Sequence, residues 1–430
     1  MQSSPSISKN AATKIHRHLV LEIVESLNAI FNLHQQADKV IEKVLSQHRK
    51  WGSRDRRFFA ETIYEIVRWQ RRLLYMIKAA DNTNTKGGEN NKSIDKQDLW
   101  NIWAVYWLTS RREVLPKDWP ELQNFPQKTA AEFLTDLQSC PDPAIQHSFS
   151  DWFYQYGLQQ WGPDDWSSIA QALNQPAEVF IRANRLKTNV LDLQKQLQQE
   201  NILSEKVGAS TSDALKLLQR QNIFSTKAFQ TGLFELQDAG SQMIAPLLAV
   251  QPGFRVIDAC AGAGGKSLHL ASLMGNKGKI IALDIYEWKL NELKKRARRG
   301  GVDIIETRVV DSQKVIKRLH GTADALLLDV PCTGSGVLRR NPDAKWKISL
   351  ERLTALKQTQ QDILQQYSLM TKIKGLMVYA TCSIFKDEND QQVQYFLQQN
   401  KNWQLEKELV LRPDQQGYDG FYAAVLRRLA

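Results

Sequence analysis

Apolar residues recur at helical spacing through residues 14–80. Ile15, Leu19, Ile23, Leu27 and Ile30 share one face, and Val40, Ile41, Val44 and Leu45 share another. Ser53 is placed to cap a third helix, whose Phe59, Ile63, Ile66 and Val67 form a stripe. DNTNTKGGENNKS, 81–93, reads as a polar loop. More helices are expected to about 138, and SCPDPA, 139–144, with two prolines, reads as a hinge. Residues 147–173 again carry a helical pattern rich in aromatics. EVFIRANRL (178–186) predicts a strand, TNVLDLQKQLQQ (188–199) a capped helix, and LFELQD (233–238) another strand, so a small mixed α/β unit is expected here. Beyond 240 the rhythm changes. RVIDA (255–259), KIIALD (279–284), DIIETRVV (303–310), ALLLDV (325–330) and GLMVYA (375–380) are short apolar runs, with helical stretches such as 286–299 and 350–372 between them. Strands alternating with helices predict a parallel sheet covered on both faces, with ligands bound beyond the carboxyl ends of its strands.

Composition narrows the class. At 430 residues and 42% hydrophobic content the chain suits two or three domains. No apolar run approaches the length of a membrane span, and the first residues lack the apolar core of a secretion signal, so a cytoplasmic protein is expected. Four cysteines, at 140, 260, 332 and 382, are too few for a disulfide framework. None form a Cys-x-x-Cys pair and the seven histidines do not cluster with them, so no metal site is expected. A net charge of +11 favours a polyanionic partner, nucleic acid first, although basicity by itself also serves solubility.

The segment RVIDACAGAGGKSLHLA, 255–271, reads as strand, glycine loop and helix, and three nucleotide-site readings compete for it. A phosphate-binding P-loop ends in Gly-Lys-Ser, as here, but Cys260 stands where its first glycine belongs. A dinucleotide fingerprint matches Gly262 and Gly264 but meets Ser267 at its third position. S-adenosylmethionine needs close backbone approach without a phosphate nest, and its ribose diol and sulfonium suit carboxylates. Asp258, Asp284, Asp311 and Asp329 all fall at or just after strand ends. Each alone is an ordinary cap or loop residue. Four in this alternation favour the cofactor.

Cys332, in DVPCTGSG, and Cys382, in YATCS, each follow an apolar strand-like run. A buried free cysteine is commonly a small hydrophobe, which is the reading for Cys140 and Cys260. Flanked by Pro-Cys-Thr-Gly-Ser-Gly and Thr-Cys-Ser, the other two suit chemistry. A thiolate adding to carbon 6 of a pyrimidine makes carbon 5 reactive toward a methyl sulfonium, and a base must then remove the carbon-5 proton. Asp329 is placed to hold the N3/N4 edge of a cytosine. One cysteine would attack while the other assists release, provided the two strands adjoin. Residue chemistry does not choose between them.

DACAGAGGKS, DVPCTGSGVLRRNPDAKW and YATCS resemble the signature motifs of the RsmB/Nop/Sun family of RNA cytosine-5 methyltransferases. FELQDAGSQ (234–242) and DGFYAAVLRR (419–428) resemble further family segments, so the likeness runs in motif order over about 235–430. It implies a Rossmann-like S-adenosylmethionine-dependent methyltransferase domain. It also implies Cys382 as nucleophile, Cys332 as the residue promoting release, and Asp329 beside them. Cofactor contacts carry over to Cys260, Ala261, Gly262, Ala263, Gly264, Gly265 and Lys266, and to Asp284, Asp311 and Asp329. The family loop commonly has proline where Ala263 stands, and its loss loosens that turn.

KWGSRDRRFFAETIYEIVRW is similar to the NusB-like helical domain of the bacterial Sun/RsmB branch, which modifies small-subunit rRNA. The arrangement expected is therefore α/β with an N-terminal all-α NusB-like RNA-binding domain (1–145), a small α/β RNA-facing module (146–235) and the Rossmann-like domain (236–430). RDRRFF and VRWQRR are read either as RNA contacts or as solvated helix faces, and KKRARRGG, 294–301, as either a basic patch or a dipole-complementing helix end. The arginines of VLRRNPDAKW, 337–346, are expected to touch RNA phosphates. The expected activity is methylation of carbon 5 of a cytosine in RNA, with 16S rRNA as the expected target, by a monomer, without metal or membrane. The alternatives are the same reaction on tRNA, or an RNA-binding assembly factor with an inactive core.

Overall fold

A computed structural model describes residues 15–80, 93–208 and 211–430; the loop expected at 81–93 lies, save Ser93, outside the described residues. The chain forms two compact units, one of Met1–Gln159 with Asn341–Lys347, the other of Gln160–Arg340 with Ile348–Ala430. The expected hinge at 139–144 thus falls inside the first unit, where Pro143–Gln146 form a short helix capped by Asp142.

The first unit is helical: α1 (Arg17–Phe31), α2 (Ala37–Gln47), α3 (Ser53–Ala80), α4 (Lys96–Thr109) and α5 (Ala130–Gln138). The spaced apolar residues of the sequence, among them Leu19, Ile23, Leu27, Ile63, Ile66 and Val67, pack into one core. α4 is buried over nine successive residues, Leu99–Trp107, as befits a helix surrounded by its neighbours. Trp103 stacks on both Trp107 and Trp119, with centroids 5.6 Å apart in each case. Ser53 is not a cap: α3 already begins there, and the Gly52 carbonyl accepts the Arg56 N–H.

α3 is kinked at Trp69, whose φ of −108° and ψ of 17° leave the helical region. The N–H of Arg71 consequently turns to the hydroxyl of Ser148 at 3.1 Å. The carbonyls of Val67 and Arg68, just before the kink, are met by Asn341–Lys347 instead. Trp346 Nε1 donates to Val67 at 2.8 Å and Lys345 Nζ to Arg68 at 2.5 Å. Asp343 accepts from the Ala37 N–H that opens α2 and from Lys347 Nζ. An interrupted helix here supplies the acceptors that anchor a sequence-distant segment.

The second unit holds two sheets. The smaller is antiparallel, with strands β1 (Val179–Ala183), β2 (Ser204–Lys206), β3 (Ala214–Leu217) and β4 (Phe234–Leu236) in the order β2-β3-β1-β4. Helix Val190–Gln199, capped by Asn189, buries Leu193 and Leu197 against it.

The larger sheet has β5 (Arg255–Asp258), β6 (Lys279–Asp284), β7 (Ile305–Val309), β8 (Ala323–Asp329), β9 (Thr371–Thr381), β10 (Trp403–Leu411) and β11 (Phe421–Arg428). Their order is β10-β11-β9-β8-β5-β6-β7. The five strands read from the sequence pair in parallel. The sequence reading did not assign β10 and β11, which close one edge antiparallel. The helix expected at 350–372 ends at Tyr367; a short 3₁₀ turn follows and Thr371 already opens β9. Alternate residues of the strands feed two cores. Val256, Ile280, Leu327 and Val378 face one side, and Ile257, Ile281, Leu328 and Tyr379 the other. Both faces are covered, and the strand order reverses beside β5, so the crevice lies beyond the ends of β5 and β8.

Candidate active site

The glycine loop follows β5 directly. Gly262 and Gly264 adopt positive φ of 53° and 84°. A Cβ on Gly264 would lie 2.3 Å from Leu293 Cγ, so glycine lets helix Glu287–Gly300 approach. At Gly262 and Gly265 a Cβ would meet nothing within 4 Å, which leaves backbone open to a ligand. The loop is held by Ala261 N–H on the Leu283 carbonyl (2.8 Å) and Gly262 N–H on Asp284 Oδ2 (2.9 Å). Asp284 also accepts the Tyr286 N–H, so each carboxylate oxygen takes one backbone donor and keeps a lone pair for a diol. Arg296 binds the Ala263 carbonyl at 2.7 Å and Glu235 at 2.9 Å. The turn at Ala263 is thereby pinned from outside.

Asp258 is buried. Its Oδ2 accepts from Ser267 at 2.6 Å, while Oδ1 makes no hydrogen bond to the described residues. Burial pushes its carboxyl up to about 7, against the Ser267 hydroxyl and with help from the charge of Asp329. Burial likewise pushes the Cys260 thiol well up, with the charges of Asp258, Asp329 and Asp284 adding to it, so Cys260 stays protonated near neutrality. Asp311 lies exposed just past β7, its carboxylate accepting from Ser312. An orphaned buried oxygen, open glycine backbone and a two-oxygen acceptor at Asp284 fit an adenosyl ligand with a ribose diol.

The two cysteines come together. β8 and β9 are parallel neighbours with Asp329 opposite Ala380, so the turns that follow them adjoin. Cys332 Sγ and Cys382 Sγ stand 3.3 Å apart, and both cysteines are free. The loops pack backbone against backbone: Gly336 N–H donates to the Cys382 carbonyl at 2.9 Å, and a Cβ on Gly336 would lie 2.2 Å from the Gly420 carbonyl oxygen. The Cys332 thiol is held well above its usual range, first by its contact with Cys382 and then by burial. Lys266 reaches across from the glycine loop to Asp329 Oδ2 at 2.6 Å and lies over the Phe421 ring.

Several basic residues turn inward, contrary to expectation. Arg339 is 7% exposed and donates to the carbonyls of Gly417 and Pro176. Arg340 joins Asp238, at 2.6 Å, to Asp419. Arg340 therefore ties FELQDAGSQ to DGFYAAVLRR, Arg339 holds backbone carbonyls, and neither is laid out for phosphates. Lys345 is buried. In KKRARRGG, Arg296 and Arg299 both pair with Glu235.

The sequence reading missed Glu388. It is fully buried and accepts from Thr333 and Ser383, the residues that follow the two cysteines. Its only sequence signal is proximity to Thr-Cys-Ser. The 3₁₀ turn Lys386–Glu388 that directs it inward has no periodicity to betray it.

A mostly parallel sheet with a glycine loop after β5, the acid Asp284 ending β6 and a pair of thiols beyond β8 and β9 fits the S-adenosylmethionine-dependent methyltransferases. Comparison with known proteins makes this specific. Residues 245–427 match the family model "16S rRNA methyltransferase RsmB/F", and residues 149–224 match the RsmF/B-like ferredoxin-like domain. A probable ribosomal RNA small subunit methyltransferase B of Synechocystis is 32% identical over 300 residues, 66% of this chain and 67% of its own. The ribosomal RNA small subunit methyltransferase B of Vibrio vulnificus is 30% identical over 72% of this chain and 75% of its own. A crystal structure of a methyltransferase homologue from Pyrococcus horikoshii, 28% identical, superposes with a TM-score of 0.60, covering 66% of this chain and 97% of that one. The chain belongs to the RsmB/F methyltransferase family, and its cofactor is S-adenosylmethionine. No helix among the described residues is long and apolar enough to cross a membrane.

Proposed function

We propose that this protein methylates carbon 5 of a cytosine in small-subunit ribosomal RNA through a covalent cysteine–base intermediate. Within this reading, Cys382 adds as thiolate to carbon 6 of the cytosine, and the electron pair of the 5,6 bond becomes available at carbon 5. The cofactor, when bound, supplies the electrophilic methyl. Loss of the carbon-5 proton to a base then returns the pair to the ring and expels the thiolate. Asp329 holds the N3/N4 edge, with the Lys266 ammonium fixing that carboxylate in place at 2.6 Å. Cys332 serves the release step. Cys260–Lys266, Asp284 and Asp311 hold the donor, with Asp284 on its ribose. The target base leaves its stack to reach the sulfur. The N-terminal helices act as a NusB-like RNA-binding domain, with the small antiparallel sheet as an RNA-facing module. The setting is the cytoplasm.

One observation carries the reading: two free thiols 3.3 Å apart at the ends of adjoining parallel strands, one of which ends in Asp329. Transfer of labelled methyl to RNA tests it. Cys382→Ala is expected to abolish transfer, whereas Cys332→Ala is expected to accumulate a protein–RNA adduct that survives denaturant. Full activity in Cys382→Ala refutes the assignment, and an adduct formed only by Cys382→Ala reverses the roles. Bisulfite sequencing of RNA from cells with and without the protein identifies the nucleotide. A site in tRNA alone would overturn the ribosomal target.

A further inference from the structure

Two cysteines on separate loops hold a fixed separation only if something ties the loops together, and the backbone contact at Gly336 is one such tie. A second lies beneath the sulfurs. Glu388 Oε1 accepts the Thr333 N–H at 2.8 Å and Gln360 Nε2 at 3.0 Å. Its Oε2 accepts the hydroxyls of Thr333 and Ser383, each at 2.5 Å. Gln360 also donates to the Pro331 carbonyl, on the other side of Cys332. The Ser335 hydroxyl meets that of Ser383 at 2.9 Å and accepts the Ile384 N–H at 3.0 Å. Glu388 is itself fixed, because its carbonyl accepts the buried Tyr379 hydroxyl at 2.7 Å.

We propose that Glu388 is a positioning residue of this enzyme: a single buried carboxylate clamps the residues following both cysteines and so sets the separation of the two sulfurs. It rests on the reading that the cysteine pair carries the reaction. Glu388 touches neither substrate nor cofactor in this scheme and acts through Thr333 and Ser383.

Burial works against a carboxylate here and pushes Glu388 above its ordinary range, while the bonds from Ser383, Thr333 and Gln360 oppose that push. A site that buries an acid and surrounds it with donors is built for an acceptor of four bonds. An amide keeps one acceptor oxygen and adds two hydrogens that clash with donors. The charge also has a direction. Glu388 adds to the contacts that keep Cys332 protonated, which suits a residue that waits while its neighbour attacks.

The test separates geometry from turnover. Dibromobimane bridges two neighbouring thiols and then fluoresces, so its rate with the full-length enzyme reads the Cys332–Cys382 separation without methyl transfer. Labelled-methyl assays give kcat and the cofactor KM. Glu388→Ala is expected to slow bridging roughly tenfold and kcat about a hundredfold, with the cofactor KM within about twofold, since a displacement near 1 Å has effects of that order. Glu388→Gln is expected to fall between Ala and the native residue in both. Thr333→Val removes the hydroxyl bond to Glu388, with that hydroxyl's contacts to Ser335 and Ser383, while sparing the Thr333 N–H, and gives a milder change in the same two readouts should Glu388→Ala not fold. Native bridging rates and native kcat in Glu388→Gln and Thr333→Val overturn the proposal, as does a fallen kcat with unchanged bridging. Slowed bridging with native kcat leaves the clamp standing and refutes the cysteine-pair reading beneath it.

Discussion

Lys266 and Lys345 are both taken into the interior, one in each unit, and their surroundings act on them in opposite directions. For Lys266 burial works against the charge, but the attraction and hydrogen bond of Asp329 outweigh it and hold the ammonium above the ordinary lysine range. For Lys345 burial dominates, Arg68 adds repulsion, and the pKa falls well below that range. Lys266 meets a carboxylate at 2.6 Å. Lys345 donates to the Arg68 carbonyl and lies 4.7 Å from the Phe149 ring centroid and 5.1 Å from that of Trp346. A buried cation beside an acid keeps a charge in place for chemistry. One seated on carbonyl dipoles and rings anchors a strap and leaves its own charge strained.

The largest effect should come from breaking the first of these. Lys266→Met leaves Asp329 near the buried Asp258 without its cation. Methyl transfer is expected to fall by about a hundredfold or more, the scale seen when one preorganised electrostatic partner is lost. Lys266→Arg should retain part of the activity, because a guanidinium keeps the charge. If Lys266→Met keeps near-native kcat, the pair is structural and the contrast with Lys345 loses its functional meaning.

Lys345→Met sharpens the contrast through stability. It removes a charge-assisted hydrogen bond but also relieves a burial penalty, so a net loss of only about 1–2 kcal/mol is expected from denaturant unfolding near pH 7. The pH dependence is the cleaner measurement. The unfolded chain keeps the lysine proton up to about 10.4. The folded chain releases it earlier, so between the two values the unfolded state binds more protons and stability rises with pH. That rise should vanish in Lys345→Met. Lys266 has the reverse sign: its contribution is complete below the unfolded pKa and is lost as pH passes the higher folded one. A pH profile unchanged by Lys345→Met would mean the ammonium is not charged against its surroundings.

These two lysines also show what was legible in the sequence. The five parallel strands, the glycine loop and the strand-end acids follow from local patterns, because each depends on a few neighbouring residues. The approach of Cys332 to Cys382 needed one further condition, that β8 and β9 adjoin, and sheet order is not written locally. The basic run around Lys345 reads as a surface for phosphates. Its burial depends on the break at Trp69, some 276 residues away in sequence, whose freed carbonyls no pattern announces. Arg339 and Arg340 were misread for the same reason: a charge run looks solvated until its distant partners are known. KKRARRGG is open to either reading in the sequence, and its Arg298 and Arg299 do lie in the last helical turn. β10 and β11 escaped because their pairing is with each other and with β9 and not with the alternating strand–helix rhythm.

Arg296 offers the smallest and most local test. The glycine loop carries Ala263 and so lacks the stiffness that the fixed φ of a proline, the residue common in the family motif it resembles, would provide. Here the stiffness comes from a side chain: Arg296 holds the Ala263 carbonyl, and Glu235 holds Arg296. Removing the guanidinium should loosen the loop without touching the sulfurs. Arg296→Ala is therefore expected to raise the cofactor KM by roughly fivefold, about 1 kcal/mol for one lost hydrogen bond, with kcat within about twofold. Ala263→Pro added to that variant should recover part of the loss, since the ring restricts the same turn by covalent means. Recovery would make backbone restraint the common currency of the two solutions. A KM that Arg296→Ala raises and Ala263→Pro leaves raised would show instead that Arg296 acts through its charge.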